Sequence, residues 1–201
     1  MKIYRFLLFF FIGLISCENN LDKNSTSNSQ ELVIKSVEVL KDSLILNGNL
    51  GTWNYNNQPY SGYAVGYHTN DRLKEKVGFY NGKKVGVSKL WYNNGALKME
   101  SYYNQNVLVN SYKSWWRNGV LSSESNYENG KLNGIERKWY NTGVLAKQRN
   151  LVDGQEHGIQ KAWLKNGTLY VNYEAKNGRI FGMRRANSCY KLEDEIVIRK
   201  K

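Results

Sequence analysis

A chain of 201 residues has room for one ordinary domain or one short repeat array, and 41% hydrophobic with 13% aromatic content is enough for a folded protein. Eighteen glycines, 15 tyrosines and 6 tryptophans beside a single proline exclude a largely helical chain, since glycine interrupts nearly every window that could carry a 3.6-residue period. The formal net charge of +12 suits either an anionic partner or simply a well-solvated surface, and the basic residues form no arginine-rich tract of the kind nucleic acid would need.

Residues 1–16 begin with Lys2 and Arg5 and continue into the apolar run Phe6 to Ile15, the pattern of a removed signal peptide. A transmembrane helix needs ~20 apolar residues, about twice this run. The four residues Leu14-Ile15-Ser16-Cys17 resemble the lipobox of bacterial lipoproteins. That resemblance implies cleavage before Cys17 and lipid attachment to its thiol. Several acyl chains would make a lasting anchor where one holds only marginally. Glu18 is not the aspartate associated with inner-membrane retention, so the expectation is the outer membrane over the inner. Export also argues against a nucleic-acid partner. The mature chain would keep a net charge of +10. With Cys17 used, Cys189 has no partner for an intramolecular disulfide, and the fold must rest on packing.

Residues 17–31, polar after the cysteine, read as the lipidated residue and a flexible tether. Residues 32–55 alternate apolar and polar from Leu32 to Leu40, then turn near Lys41-Asp42 and at Asn47-Gly48. They are expected to form capping strands, arranged as a starting hairpin.

Residues 56–182 repeat. Trp91-Tyr-Asn-Asn-Gly95, Trp115-Trp-Arg-Asn-Gly119, Trp139-Tyr-Asn-Thr-Gly143 and Trp163-Leu-Lys-Asn-Gly167 recur every 24 residues, and Tyr67-His-Thr-Asn-Asp71 is a degenerate earlier copy. Leu73, Leu97, Leu121, Leu145 and Leu169 keep the same period. Two glycine columns do so as well, with Asn106 and Asn110 as their exceptions, and asparagine is the next-best residue for a left-handed backbone. Each unit reads as strand, tight Asn-Gly turn, strand and a longer glycine-bearing turn. A two-residue turn at Asn94-Gly95 would set Tyr92 against Leu97 and Lys89 against Glu100. The same register sets Lys113 against Glu124, Arg137 against Gln148 and Lys161 against Asn172. The fold class is therefore all-β: tandem ~24-residue β-hairpins stacked into one elongated, twisted antiparallel sheet.

The unit from Tyr80 to Leu97, Tyr-x-Asn-Gly-Lys-x-x-Gly followed by Trp-Tyr-x-x-Gly-x-Leu, resembles the MORN-repeat variant found in the bacterial YwqK-type antitoxin family. The resemblance spans about residues 52–182. It implies a row of stacked hairpins, and it carries the suggestion of a neutralising partner for a toxic effector. The tail 183–201 breaks the repeat and is expected to cover the last open sheet edge, with Cys189 either buried and inert or reactive.

No catalytic constellation is visible. His68 and His157 occupy unrelated positions in their units, neither has a Cys or His at metal-ligand spacing, and the glycines lack the following helix of a phosphate loop. The expectation is a non-enzymatic, monomeric protein with no metal and no cofactor. Two columns could bind: the indoles Trp91, Trp115, Trp139 and Trp163, and the cations Lys89, Lys113, Arg137 and Lys161. The first reads foremost as packing and the second as protection against edge-to-edge association. If both columns are exposed side by side, they make a surface for another protein or an anionic envelope polymer. The functional expectation is a lipid-anchored scaffold of the cell envelope, with an antitoxin or immunity protein as the alternative.

Overall fold

A computed structural model describes residues 34–182. The signal segment 1–16, Cys17, the tether 17–31 and the tail 183–201 with Cys189 lie outside the described residues.

The strands come in chain order. The first five are β1 (Glu38–Leu40), β2 (Ile45–Asn47), β3 (Thr52–Tyr55), β4 (Gln58–Pro59) and β5 (Gly62–Tyr67). Next are β6 (Leu73–Tyr80), β7 (Lys83–Trp91), β8 (Leu97–Asn104), β9 (Val107–Trp115) and β10 (Leu121–Glu128). The last seven are β11 (Lys131–Leu132), β12 (Gly134–Trp139), β13 (Leu145–Val152), β14 (Gln155–Glu156), β15 (Gly158–Trp163), β16 (Leu169–Lys176) and β17 (Arg179–Phe181). From β5 onward every neighbour in the main sheet is the next in sequence and antiparallel, with the short β11 and β14 continuing the hairpin arms of β12 and β15. The all-β stacked-hairpin fold expected from the repeat is what forms.

The start of the chain departs from a simple hairpin. A single 3-10 turn at Lys41–Ser43 sends β1 and β2 into different sheets. β1 pairs in parallel with β5 and becomes the edge of the main sheet, while β2, β3 and β4 form a separate three-stranded sheet. The reason is apolar burial. Leu44, Tyr60, Ala64, Val77 and Phe79 cluster, with Val39 and Trp53 packed against them, and the Trp53 and Phe79 rings meet edge to face at 6.2 Å. A hairpin of residues 32–55 alone would leave these side chains in water, at a cost of about 1.5–3 kcal/mol for each large one.

The two turns of each unit also exchange roles. The Asn81-Gly82 position is the tight one: Tyr80 pairs with Lys83, and both turn residues have positive φ (47° and 76°), as a two-residue type I′ turn requires. The Trp-Tyr-x-x-Gly loop is longer by one residue. The Tyr92 N–H donates to the Ala96 carbonyl and the Gly95 N–H to the Tyr92 carbonyl, with Gly95 at φ 88°. That is a three-residue loop closed by a left-handed glycine. Tyr92 therefore faces Ala96 rather than Leu97. The same pair of bonds closes all five such loops, from His68–Arg72 to Leu164–Thr168, and Asp71 takes the left-handed position in the first.

The longer loop would displace the register by one residue, yet Lys89 still faces Glu100. An extra residue in the following strand restores it. Trp91 pairs with Leu97 but Leu90 pairs with Met99, leaving Lys98 as a one-residue bulge. The same irregularity recurs at Leu73, Leu121, Leu145 and Leu169.

Consecutive hairpins are tied at both ends. On the type I′ side, the N–H groups of Gly82, Asn106, Gly130 and Gly154 donate to the carbonyls of Tyr60, Lys84, Leu108 and Leu132. Asn106 adds two bonds of its own. Its Oδ1 accepts from the Lys84 N–H and its Nδ2 donates to the Gly51 carbonyl in the turn between β2 and β3, both at 2.8 Å. Asn110 takes a similar backbone (φ 57°) with no such side-chain bonds among the described residues. Replacing Asn110 with glycine should therefore shift stability by less than about 0.5 kcal/mol, whereas Asn106→Gly should cost about 1–2 kcal/mol for two lost hydrogen bonds. Urea denaturation midpoints of the two variants check this. Equal losses would mean that the asparagines serve only their turns.

Candidate functional site

Side chains two apart on a strand share a face, so Trp91 stands on the same side as Lys89, and the same holds for Trp115 with Lys113, Trp139 with Arg137 and Trp163 with Lys161. The two columns singled out in the sequence thus lie in adjacent rows of one face. The tryptophans are half-buried, each in register with the leucine of its own hairpin: Leu97, Leu121, Leu145 and Leu169. Half-burial leaves part of each indole available while the rest packs.

The cation row is more mixed than the column of Lys and Arg alone suggests. Direct cross-strand partners run Lys89, Glu100, Lys113, Glu124, Arg137, Gln148, Lys161, Asn172. Adjacent strands are ~4.8 Å apart, so from Lys89 onward a carboxylate or amide sits between each pair of cations, whereas Lys76 of β6 lies directly opposite Lys89. Lys89 Nζ lies 3.0 Å from Glu100 and the Arg137 guanidinium 2.8 Å from Glu124, with a further bond from Arg137 Nε to Gln148. These pairs are partly solvated and worth at most about 1 kcal/mol each. Lys113, exposed between Glu100 and Glu124, makes no ion pair among the described residues. Charge alternates through β10, and beyond Arg137 the interposed residues are neutral.

The loops beside the tryptophans are held by a side-chain ladder. His68 Nε2, Tyr92 Oη, Trp116 Nε1 and Tyr140 Oη each bond the backbone carbonyl of the next unit's tryptophan, at residues 91, 115, 139 and 163, over 2.9–3.0 Å. Asn70, Asn94 and Asn118 reach the next loop in the same way. His68 thus does the work of the tyrosines in its column. A carbonyl partner requires its Nε2 to carry the proton. The repeat column held this signal, since every member except Leu164 ends in a donor. His157 is exposed, and its backbone N–H donates to the Asn150 carbonyl.

The opposite face holds a cluster that the repeat pattern did not reveal. Glu136 and Arg149 face each other across β12 and β13, and Arg149 Nε donates to Glu136 Oε2 at 2.6 Å. Lys138 Nζ lies 3.4 Å from the other carboxylate oxygen and is itself directly opposite Lys147. Gln160, 2% exposed, spends its amide on the backbone of Asn150. Tyr173 donates its hydroxyl to Glu156 at 2.7 Å. Next to them is an open cleft of about 510 Å³ lined by Lys147, Gln160, Lys161, Ala162, Tyr170, Val171 and Tyr173. The corresponding positions in other units are Ser88, Tyr112, Leu90 and Ser114, so no column repeats and periodicity carries no signal. Among the described residues no group of three or more His, Cys, Asp or Glu side chains converges as a metal site would.

Burial pushes the Glu136 carboxyl up, but the Arg149 hydrogen bond and the charges of Arg149 and Lys138 outweigh it, so it sits below the ordinary glutamate range. A folded value below the unfolded one means stabilisation that is complete above the unfolded pKa of about 4.3 and is lost as pH falls through the folded value. Glu136→Gln should therefore lower stability by about 1.5–3 kcal/mol at neutral pH, and the gap to the parent should close below about pH 4. Denaturation midpoints across pH test the sign, and a gap that widened in acid would overturn it.

Among known families, the MORN repeat variant matches residues 84–105 and 108–131, the stretch from β7 to β11. No curated protein matches the chain. This central pair of hairpins is what the chain is similar to by family.

Proposed function

We propose that this protein is a non-enzymatic, lipid-anchored scaffold of the bacterial cell envelope, held by Cys17 and binding a partner protein along the tryptophan–cation face. One observation carries the binding reading: half-buried indoles and a charged row repeat together on one face through four consecutive hairpins. Repeat arrays bind through broad surfaces of this kind rather than through pockets. The interleaved Glu100 and Glu124 favour a protein over a uniform polyanion, because a polyanion lying along the whole row would meet two carboxylates. The lipobox-like Leu14 to Cys17 supports the anchor, and the repeat supports the scaffold.

A second reading, a neutraliser that holds a toxic effector inactive, draws on the likeness of Tyr80 to Leu97 to the antitoxin-family repeat. It uses the same face, and the partner's identity separates the two.

Photo-crosslinking probes placed in cells at Trp91, Trp115, Trp139 and Trp163 should give one dominant protein adduct. That adduct should be lost when Lys89, Lys113, Arg137 and Lys161 are all alanine. An adduct whose free form is toxic to the cell would favour the neutraliser. No adduct above background at any position would sink the binding face and leave the indoles as packing.

A further inference from the structure

We infer that the cleft beside Lys147 is a binding site for an acidic sugar, one hexuronate-type ring carrying a carboxylate. Lys147, Gln160, Ala162, Val171 and Tyr173 of its lining stand on the face opposite the tryptophans, Lys161 of the cation row also lines it, and the proposal does not rest on the scaffold reading.

The charge arrangement points to a missing anion. Lys138 and Lys147 are direct cross-strand neighbours, a like-charge pairing that destabilises a sheet. Arg149 stands two residues from Lys147 on the same face. Glu136 is the carboxylate among these cations, and its two oxygens are already taken by Lys138 and Arg149. Glu156, the other carboxylate nearby, accepts from Tyr173. Lys147 itself makes no ion pair or hydrogen bond among the described residues. Lys147 is exposed, yet desolvation and the neighbouring Arg149 outweigh Glu156 and Glu136 and hold its amine below the ordinary lysine range. A carboxylate placed in the cleft would relieve that repulsion, so the folded chain carries a cost that a ligand removes.

The rest of the lining says what should accompany the charge. At about 510 Å³ the cleft matches the size of small-molecule sites. Tyr170 and Val171, both partly exposed, line the cleft over the buried Tyr173 and Ala162, and aromatic and apolar side chains are the partners that suit the C–H face of a sugar. The Tyr170 hydroxyl has no hydrogen-bond partner among the described residues and is available to a sugar hydroxyl. Gln160 fixes the floor through its bonds to the Asn150 N–H and carbonyl, so little order need be lost on binding. A bare anion would use the lysines and leave these surfaces wet.

Calorimetric titration of the detergent-solubilised full chain with glucuronate, glucose and inorganic phosphate tests the assignment. Glucuronate should bind saturably and raise the Lys147 amine pKa followed by ¹⁵N NMR, while glucose and phosphate should each bind at least about tenfold more weakly. Lys147→Met should weaken glucuronate about tenfold, Lys147→Arg should keep most of the affinity, and Tyr170→Ala should lose severalfold without altering the circular dichroism spectrum. Phosphate binding as well as glucuronate, glucose binding as well as glucuronate, an unaltered Lys147→Met titration, or no binding by the parent chain would each overturn the proposal.

Discussion

A three-residue loop moves one arm of a hairpin by a single position relative to the other, and in a β-strand that move would exchange its two faces. Here every such loop is followed by one unpaired residue: Lys74, Lys98, Ser122, Ala146 or Tyr170. The two displacements cancel. Everything else depends on that cancellation, including the alternation of Lys and Glu along the row, the alignment of the tryptophans, and the seating of Glu136 against Arg149 on the far side. The bulge also raises the local twist of each hairpin.

The periodicity was legible because the turns demand particular residues at fixed intervals. Asn106 and Asn110 could be read as replacements for glycine, and both do hold positive φ. Which turn is tight was not legible. Asn81-Gly82 and Asn94-Gly95 are the same dipeptide, and only the backbone bonds distinguish a two-residue loop from the end of a three-residue one. The Lys89–Glu100 register was nonetheless recoverable, because the sequence conceals a one-residue error in the loop and an equal error in the bulge. The pairing of Glu100 with Lys113 in the next hairpin required the stacking itself. The Lys138–Lys147 cluster lay out of reach for another reason: the columns of Glu136, Lys138 and Lys147 hold a different residue in every unit, so nothing in the repeat marks them.

Stability is distributed unevenly along the array. The apolar cluster of Leu44, Tyr60, Ala64, Val77 and Phe79 lies at the first strands, where the three-stranded sheet meets β5 and β6. The middle hairpins bury the polar Ser101 and Glu136, and the last ones bury Leu151, Ala162, Leu169, Tyr173 and Ala175 beside Gln160 and Asn172. Nearest-neighbour coupling then makes the first hairpins the natural seed for the rest, each unit adding its loop ladder to the one before. Polar burial in the middle units favours a defined geometry over apolar burial energy, a reasonable exchange where a surface must present groups in register.

The parallel strand β1 gives the array a polarity. Its pairing with Glu38 against Tyr63 occupies the edge that precedes the first hairpin, so a further unit could not join there without displacing it. Between the loops, by contrast, one block of 24 residues follows the same backbone register as the next. In evolutionary terms the molecule is a ruler that can be lengthened or shortened only by whole graduations of two strands, ~9.6 Å each. A gene duplication of 24 codons would extend both faces in phase, while one of 23 or 25 would turn the remainder of the ruler over.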